Sequence, residues 1–169
     1  MSAEAAQRFQ TLHELVKAAK LRLNANIWDY LVGATETETT LQRNRAALDS
    51  IAFRPRVLRD VSKVDSGGHC LGRAVRLPVF LAPVGSLDSF EPGGAATAGR
   101  AAAAFGVPIM VSSVTQPGLE ATAEAVGAGP KVFQLYVRGD AAFVDDHVKR
   151  AVDAGYDAFA ITVDTAHYS

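Results

Sequence analysis

The strongest constraint in this chain is an alternation that begins at Leu77 and runs to Asp164. Short apolar runs at 77–83, 107–113, 131–137 and 158–164 read as strands. Between them, 91–105, 117–126 and 141–154 carry helical composition, and Gly155 stops the last. The strands are apolar on both of their alternating faces, which suits a parallel sheet covered by helices. Two architectures satisfy such a pattern, a doubly wound sheet and a (β/α)8 barrel. A dinucleotide-binding sheet would follow its first strand with Gly-x-Gly-x-x-Gly, whereas Pro83-Val84-Gly85-Ser86 stands there.

The polar residues sharpen this choice. In the run Lys131-Val132-Phe133-Gln134-Leu135-Tyr136-Val137, side chains alternate, so Phe133, Leu135 and Val137 share one face and Val132, Gln134 and Tyr136 the other. A glutamine and a tyrosine are costly in a core unless something there hydrogen-bonds them. Ser112 and Ser113 stand late in the strand before, and Thr162 and Asp164 late in the strand after. Polar residues gathered at the C-terminal ends of consecutive strands are where a (β/α)8 barrel builds its active site. The alternative, purely structural reading is a set of inward polar groups bonded to one another or to water.

Ahead of the alternation lies a helical region. Phe9, Leu12, Leu15, Val16, Ala19 and Leu23 are spaced for an amphipathic helix over 7–23. Asn24 or Asn26 can cap a short second helix holding Ile27, Trp28, Tyr30 and Leu31, stopped by Gly33. Thr35 with Glu38, or Thr37 with a following acid, resembles a capping box for a third helix through Leu41, Asn44, Ala47 and Leu48. Residues 51–65, with Pro55, read as irregular. The expected organisation is a helical and extended lead-in over 1–65 followed by barrel strands over 66–169.

Composition excludes several classes. With 17 basic and 18 acidic residues the chain has no electrostatic footprint for nucleic acid. Its 169 residues, 49% hydrophobic, suffice for one sizeable core. The single cysteine, Cys70, permits no internal disulfide, so a reducing, cytoplasmic setting is expected. His69 beside it would make two ligands where zinc wants about four, so no metal site is assigned. No run reaches membrane-spanning length.

A set of segments, in order, resembles the FMN-dependent 2-hydroxy acid oxidases and dehydrogenases, which include glycolate oxidase, lactate oxidase, flavocytochrome lactate dehydrogenase and mandelate dehydrogenase. They are Tyr30-Leu31-Val32-Gly33-Ala34, Thr40-Leu41-Gln42-Arg43-Asn44, Phe53-Arg54-Pro55-Arg56-Val57-Leu58-Arg59-Asp60-Val61, Leu71-Gly72, Ala82-Pro83-Val84-Gly85, Val111-Ser112-Ser113, Phe133-Gln134-Leu135-Tyr136-Val137 and Ile161-Thr162-Val163-Asp164-Thr165. The resemblance implies an α/β fold, the first half of a TIM (β/α)8 barrel preceded by N-terminal helices. It implies FMN as cofactor and oxidation of a small (S)-2-hydroxy acid to the 2-oxo acid.

On the matching positions, Tyr30 resembles the family tyrosine that binds the substrate carboxylate, and Tyr136 the tyrosine that hydrogen-bonds the substrate's oxygens. Ala82, Pro83, Val84 and Gly85 resemble the loop whose backbone lies against the flavin. Ser112, Gln134 and Thr162 resemble the polar set on the pyrimidine side of the ring, and Asp164 the aspartate that orients the catalytic histidine. Val84 replaces a common threonine, and Gly85 an alanine of several oxidases, which leaves the electron acceptor (oxygen, quinone or another carrier) open. His167, in Ala166-His167-Tyr168-Ser169, does not match the family's histidine. The family's lysine, histidine and arginine match nothing here, so the chain is expected to be the N-terminal half of a longer, oligomeric enzyme and inactive alone. The competing readings are another FMN-binding barrel, of the isopentenyl-diphosphate isomerase type, and a non-enzymatic half-barrel that docks a partner.

Overall fold

The computed structural model describes residues 9–164. Three helices lead: α1 (Leu12–Arg22), α2 (Ala25–Val32) and α3 (Thr39–Asp49). Helix α1 opens with a reciprocal capping box, in which the Thr11 hydroxyl accepts from the Glu14 N–H and the Glu14 carboxylate accepts from the Thr11 N–H. Asn24 caps α2 by accepting the Ile27 N–H at 3.0 Å, and Gly33 ends it. The box expected at Thr35 and Glu38 does not form. Glu38 sits in the left-handed region at φ 59°, and its carboxylate reaches back to the Ala34 N–H. A residue in that conformation cannot continue the helical turn the box requires, so α3 begins at Thr39 instead of at Glu36. The Arg45–Asp49 pair at 2.7 Å then spans one turn of α3. Residues 51–65 have no regular structure.

A hairpin absent from the sequence reading follows: β1 (Gly68–Cys70) and β2 (Arg73–Val75), antiparallel around Leu71 and Gly72, both at positive φ. Its strands are too short to show a period. The hairpin is tied to the residues ahead of the main sheet. Arg73 donates to the Asp157 carboxylate at 2.9 Å and to the Ala128 carbonyl, and the Arg76 N–H donates to the Gly106 carbonyl.

The main sheet is β3 (Ile109–Ser112), β4 (Lys131–Tyr136) and β5 (Ala158–Thr162), parallel and in that order. The expected strand over 77–83 does not form as such. Leu81 makes one parallel bridge to Ile109, donating to the Pro108 carbonyl and accepting from the Met110 N–H. Pro78 and Pro83 lack the N–H groups a longer ladder would need. Helices α4 (Gly94–Phe105), α5 (Leu119–Val126) and α6 (Ala141–Asp153) cover one face of the sheet.

That face holds the core. Ile109, Val111, Phe133 and Leu135 are buried against Ala95, Leu119, Val126 and Ala151, with Phe159 packed at the margin. The small residues of α4 allow close approach: at Gly99 a Cβ would lie 2.7 Å from Val126 Cγ2 on α5. Gly94, at φ 49°, lets the start of α4 abut the next loop, where a Cβ would be 2.2 Å from the Gln116 carbonyl oxygen. Half-buried Tyr156 donates to the Leu119 carbonyl at 2.8 Å, and desolvation pushes its phenol pKa up. Lys131 is buried at the head of β4, its ammonium satisfied by the Gly127 carbonyl at 2.7 Å, and desolvation lowers its pKa. Asp157 accepts the Lys131 N–H at 2.8 Å, joining β4 to the hairpin through Arg73.

Between α5 and α6, Arg150 binds Glu120 at 2.6 and 3.0 Å. The hydrogen bonds from Arg150 hold the Glu120 carboxyl below its ordinary value of 4.5. A depressed carboxylate contributes stability above its unfolded pKa and loses it as pH falls. Both groups are about half exposed, so the contribution is of the order of ~0.2–1 kcal/mol. Urea unfolding of Glu120→Gln against wild type is expected to show that loss at pH 7 and a shrinking difference as pH is lowered through 4.5. A difference that grows in acid would contradict the pairing.

Candidate functional site

Register places the polar residues. Ser112 pairs with Gln134, Gln134 with Ala160, and Tyr136 with Thr162. Paired residues in a parallel ladder point the same way, and alternation carries Tyr136 to the same side as Gln134. Ser112, Gln134, Tyr136 and Thr162 therefore share the face opposite the helices, at the C-terminal ends of β3, β4 and β5. The hairpin sits at the other end of the sheet, since Gly106, Ala128 and Asp157 all precede its strands.

Ser112 and Gln134 are buried, while Tyr136 and Thr162 are half-buried. The Gln134 amide donates to the Thr162 hydroxyl, so adjacent strands are linked through side chains. The Ser112 hydroxyl accepts the Val114 N–H at 3.3 Å and keeps its own proton to donate. Two hydroxyls and a carboxamide in a row offer both donors and acceptors, as recognition of a planar imide or amide edge requires.

Ala82, Pro83, Val84 and Gly85 run beside β3, held by Leu81 at one end and by the Ser86 N–H bonding the Val114 carbonyl at the other. The first three are exposed and Gly85 is half-buried. Here a Cβ on Gly85 would lie 3.1 Å from Val114 Cγ2. The following 3-10 turn, Leu87–Ser89, leads to Phe90, on which the Tyr30 ring stacks at 6.2 Å and 22°. Tyr30 is thus drawn from α2 onto the loop after the 82–85 segment while remaining 66% exposed. An apolar cavity of about 790 Å³ lies between α1 and this loop, bordered by Leu15, Leu31, Val84, Leu87 and Phe90. Asp164 is exposed, two residues past β5. His167 and Thr165 lie outside the described residues.

Three residues support the site; Thr115 and Asp88 had no role in the sequence reading, and Ser113 entered it only beside Ser112 as a polar strand-end residue. The Ser113 hydroxyl accepts the Tyr136 N–H at 3.1 Å. Thr115, buried, accepts the Leu87 N–H at 3.2 Å, and Asp88 accepts the Gln116 N–H at 3.2 Å. Together they lock the loop after β3 to the loop carrying 82–90. The signal was present as a Ser/Thr cluster directly after a strand, a pattern that bonds nearby backbone. Among the described residues no group of three or more His, Cys, Asp or Glu side chains could hold a metal ion, and no helix is long and apolar enough to cross a membrane.

Comparison with known proteins identifies the family to which this parallel α/β chain belongs. The family model for FMN-dependent dehydrogenase matches residues 19–169, and the chain belongs to that family, whose cofactor is FMN. Glycolate oxidase 5 of Oryza sativa subsp. japonica is 42% identical over 147 residues, covering 87% of this chain and 40% of the relative. L-lactate dehydrogenase of Caulobacter sp. (strain K31) is 42% identical over 148 residues, covering 88% and 39%. A crystal structure of mandelate oxidase superposes with TM-score 0.86 at 37% identity, over 93% of this chain and 45% of that one. A mandelate oxidase mutant with the C4a-OH-FMN adduct gives 0.84 at 36% identity. The chain spans about 40% of the length of the curated relatives it matches.

If the Gln134 amide meets a flavin edge, its loss removes about one hydrogen bond, or ~1–1.5 kcal/mol. FMN titrations followed by flavin fluorescence should show Gln134→Leu binding about tenfold more weakly than wild type. Equal affinity would remove Gln134 from the cofactor site.

Proposed function

We propose that this chain supplies part of the flavin and substrate site of an enzyme that oxidises a small (S)-2-hydroxy acid to the 2-oxo acid. The observation that carries the reading is the in-register row Ser112, Gln134, Tyr136 and Thr162 at the strand ends. Its chemistry fits FMN. Gln134 and the two hydroxyls supply donor and acceptor capacity for the imide edge of an isoalloxazine, and the exposed 82–85 backbone, with little side chain at Ala82 and Gly85, suits close approach to a flat ring. FMN, when bound, supplies the two-electron redox chemistry.

The chain's own residues bind and orient. Tyr136, one pleat nearer the strand end than Gln134, offers a phenol to the substrate's oxygens. Tyr30, held by Phe90 beside the 82–85 loop, offers a second phenol to the carboxylate. A phenol stays a neutral donor at pH 7 and so recognises an anion without a competing charge. Asp164, just past β5, is suited to orient and charge-stabilise a histidine from another part of the protein. In this reading residues 1–65 form the lead-in and 66–169 the first half of a (β/α)8 barrel, whose remaining strands carry the base and the substrate-binding cation. Small 2-hydroxy acids are the named substrates or ligands of relatives, as in mandelate oxidase with (S)-mandelic acid.

Two measurements test this. The isolated chain, monodisperse and supplied with FMN, should give no sustained turnover of glycolate, lactate or mandelate; steady oxidation would sink the division of the site. In the chain joined to the remainder of the enzyme, Tyr136→Phe should retain FMN and lose at least about tenfold in kcat/KM, the size of one charge-assisted hydrogen bond. Loss of FMN with unchanged turnover per bound flavin would move Tyr136 from substrate to cofactor.

A further inference from the structure

We infer that Thr115 is a positioning residue for Tyr30, acting at a distance through the turn that carries Phe90. The inference rests on the reading of Tyr30 as a carboxylate-binding phenol and deepens it, because it says what decides where that phenol stands. Tyr30 is 66% exposed, and its hydroxyl bonds no described residue. Helix α2 fixes its backbone, but rotation about χ1 would carry the hydroxyl elsewhere. The ring it meets among the described residues is Phe90, at 6.2 Å and 22°. Aromatic pairs prefer a definite offset, so the place of Phe90 sets the place of the phenol.

What holds Phe90 changes along its segment. Up to Ser86 the backbone does the holding. Leu81 donates to the Pro108 carbonyl at 3.0 Å and accepts from the Met110 N–H at 2.9 Å, and the Ser86 N–H donates to the Val114 carbonyl at 2.9 Å. Such bonds resume at Ala95, whose N–H donates to the Gln116 carbonyl at 2.9 Å. Between these points, the hydrogen bonds that reach another part of the described chain are made by side chains. The Leu87 N–H donates to the Thr115 hydroxyl at 3.2 Å, and the Asp88 carboxylate accepts the Gln116 N–H at 3.2 Å. The N–H groups of Ser89, Phe90 and Glu91 only close the turn on itself, at Ser86 and Leu87. Leu87 packs at the core margin, but apolar contact is non-directional, so the two bonds set the rotation of the turn. They are unequal. Asp88 is exposed and water can take its place, whereas Thr115 is 4% exposed and water cannot. Thr115 therefore governs the turn, while the 82–85 backbone, anchored on both sides, does not depend on it.

The test uses the chain joined to the remainder of the enzyme. Thr115→Val keeps the side chain's shape and removes the acceptor. Thr115→Ala, which sets no methyl group against the Leu87 N–H, is made alongside it with the same expectation. Each should raise KM for glycolate, lactate or mandelate about fivefold with kcat within about twofold, as loss of one hydrogen bond acting on binding alone does. FMN affinity should hold, and Thr115→Ser should restore KM. In a Tyr30→Phe background Thr115→Val should add nothing to KM, where a merely structural role would add its full effect. A second readout needs no turnover. After 3-fluorotyrosine labelling, the fluorine NMR line of Tyr30, identified by its absence in Tyr30→Phe, should shift in Thr115→Val, Thr115→Ala and Phe90→Leu and return in Thr115→Ser. A line unmoved in both Thr115 variants, or an unchanged KM in them where Tyr30→Phe raises it, overturns the inference and spares the carboxylate reading. Weaker FMN binding in these variants moves Thr115 to the flavin loop and overturns it as well. An unchanged KM in Tyr30→Phe itself removes the carboxylate reading, and a line that still shifts then keeps Thr115 as the group that places the ring.

Discussion

The rest of this structure depends on the parallel pairing of β4 with a neighbour on each side. That ladder sets Ser112 against Gln134 and Tyr136 against Thr162, and a slip of one residue would turn every polar group into the helix layer. The same pairing sets Val111 against Phe133 and Leu135 against Ile161, so core and site are two faces of one register. Packing on the helix side holds it there. Phe133 and Leu135 are almost fully buried, and a shifted strand would exchange them for a glutamine and a tyrosine at a cost of several kcal/mol, roughly ~1–3 for each unsatisfied polar group.

Polar anchoring divides between the two ends of the sheet. At the N-terminal end, Arg73, Asp157 and Lys131 tie the hairpin to the strand starts, and their charges are satisfied by each other and by carbonyls. At the C-terminal end, Ser113, Thr115 and Asp88 satisfy backbone N–H groups of the loops. The first set stabilises and the second positions. A barrel with its chemistry at one end uses its ends in this way, because loops can vary only where a rigid base holds them.

Much of this was legible. The apolar runs at 107–113, 131–137 and 158–164 contain β3, β4 and β5, since a short apolar run bounded by turn residues can be read from the chain itself. Gln134 and Thr162 stood out because polar residues on apolar strands demand partners, and the structure joins them. Other features depended on distant residues. Leu77 to Pro83 reads as a strand by composition, but its pairing depends on which N–H groups face β3, and two prolines remove donors. The Thr35–Glu38 box had the right spacing and failed because Glu38 takes a left-handed conformation that side-chain identity does not reveal.

The sequence alone determined the α/β alternation, the burial faces of β4 and the candidate polar set, because each follows from local periodicity and the cost of burying polar groups. Only the tertiary structure decided that the Tyr30 ring reaches from α2 to stack on Phe90, and that the hairpin is tied to the far end of the sheet. These outcomes depend on which elements meet in space, and no periodicity along the chain encodes that.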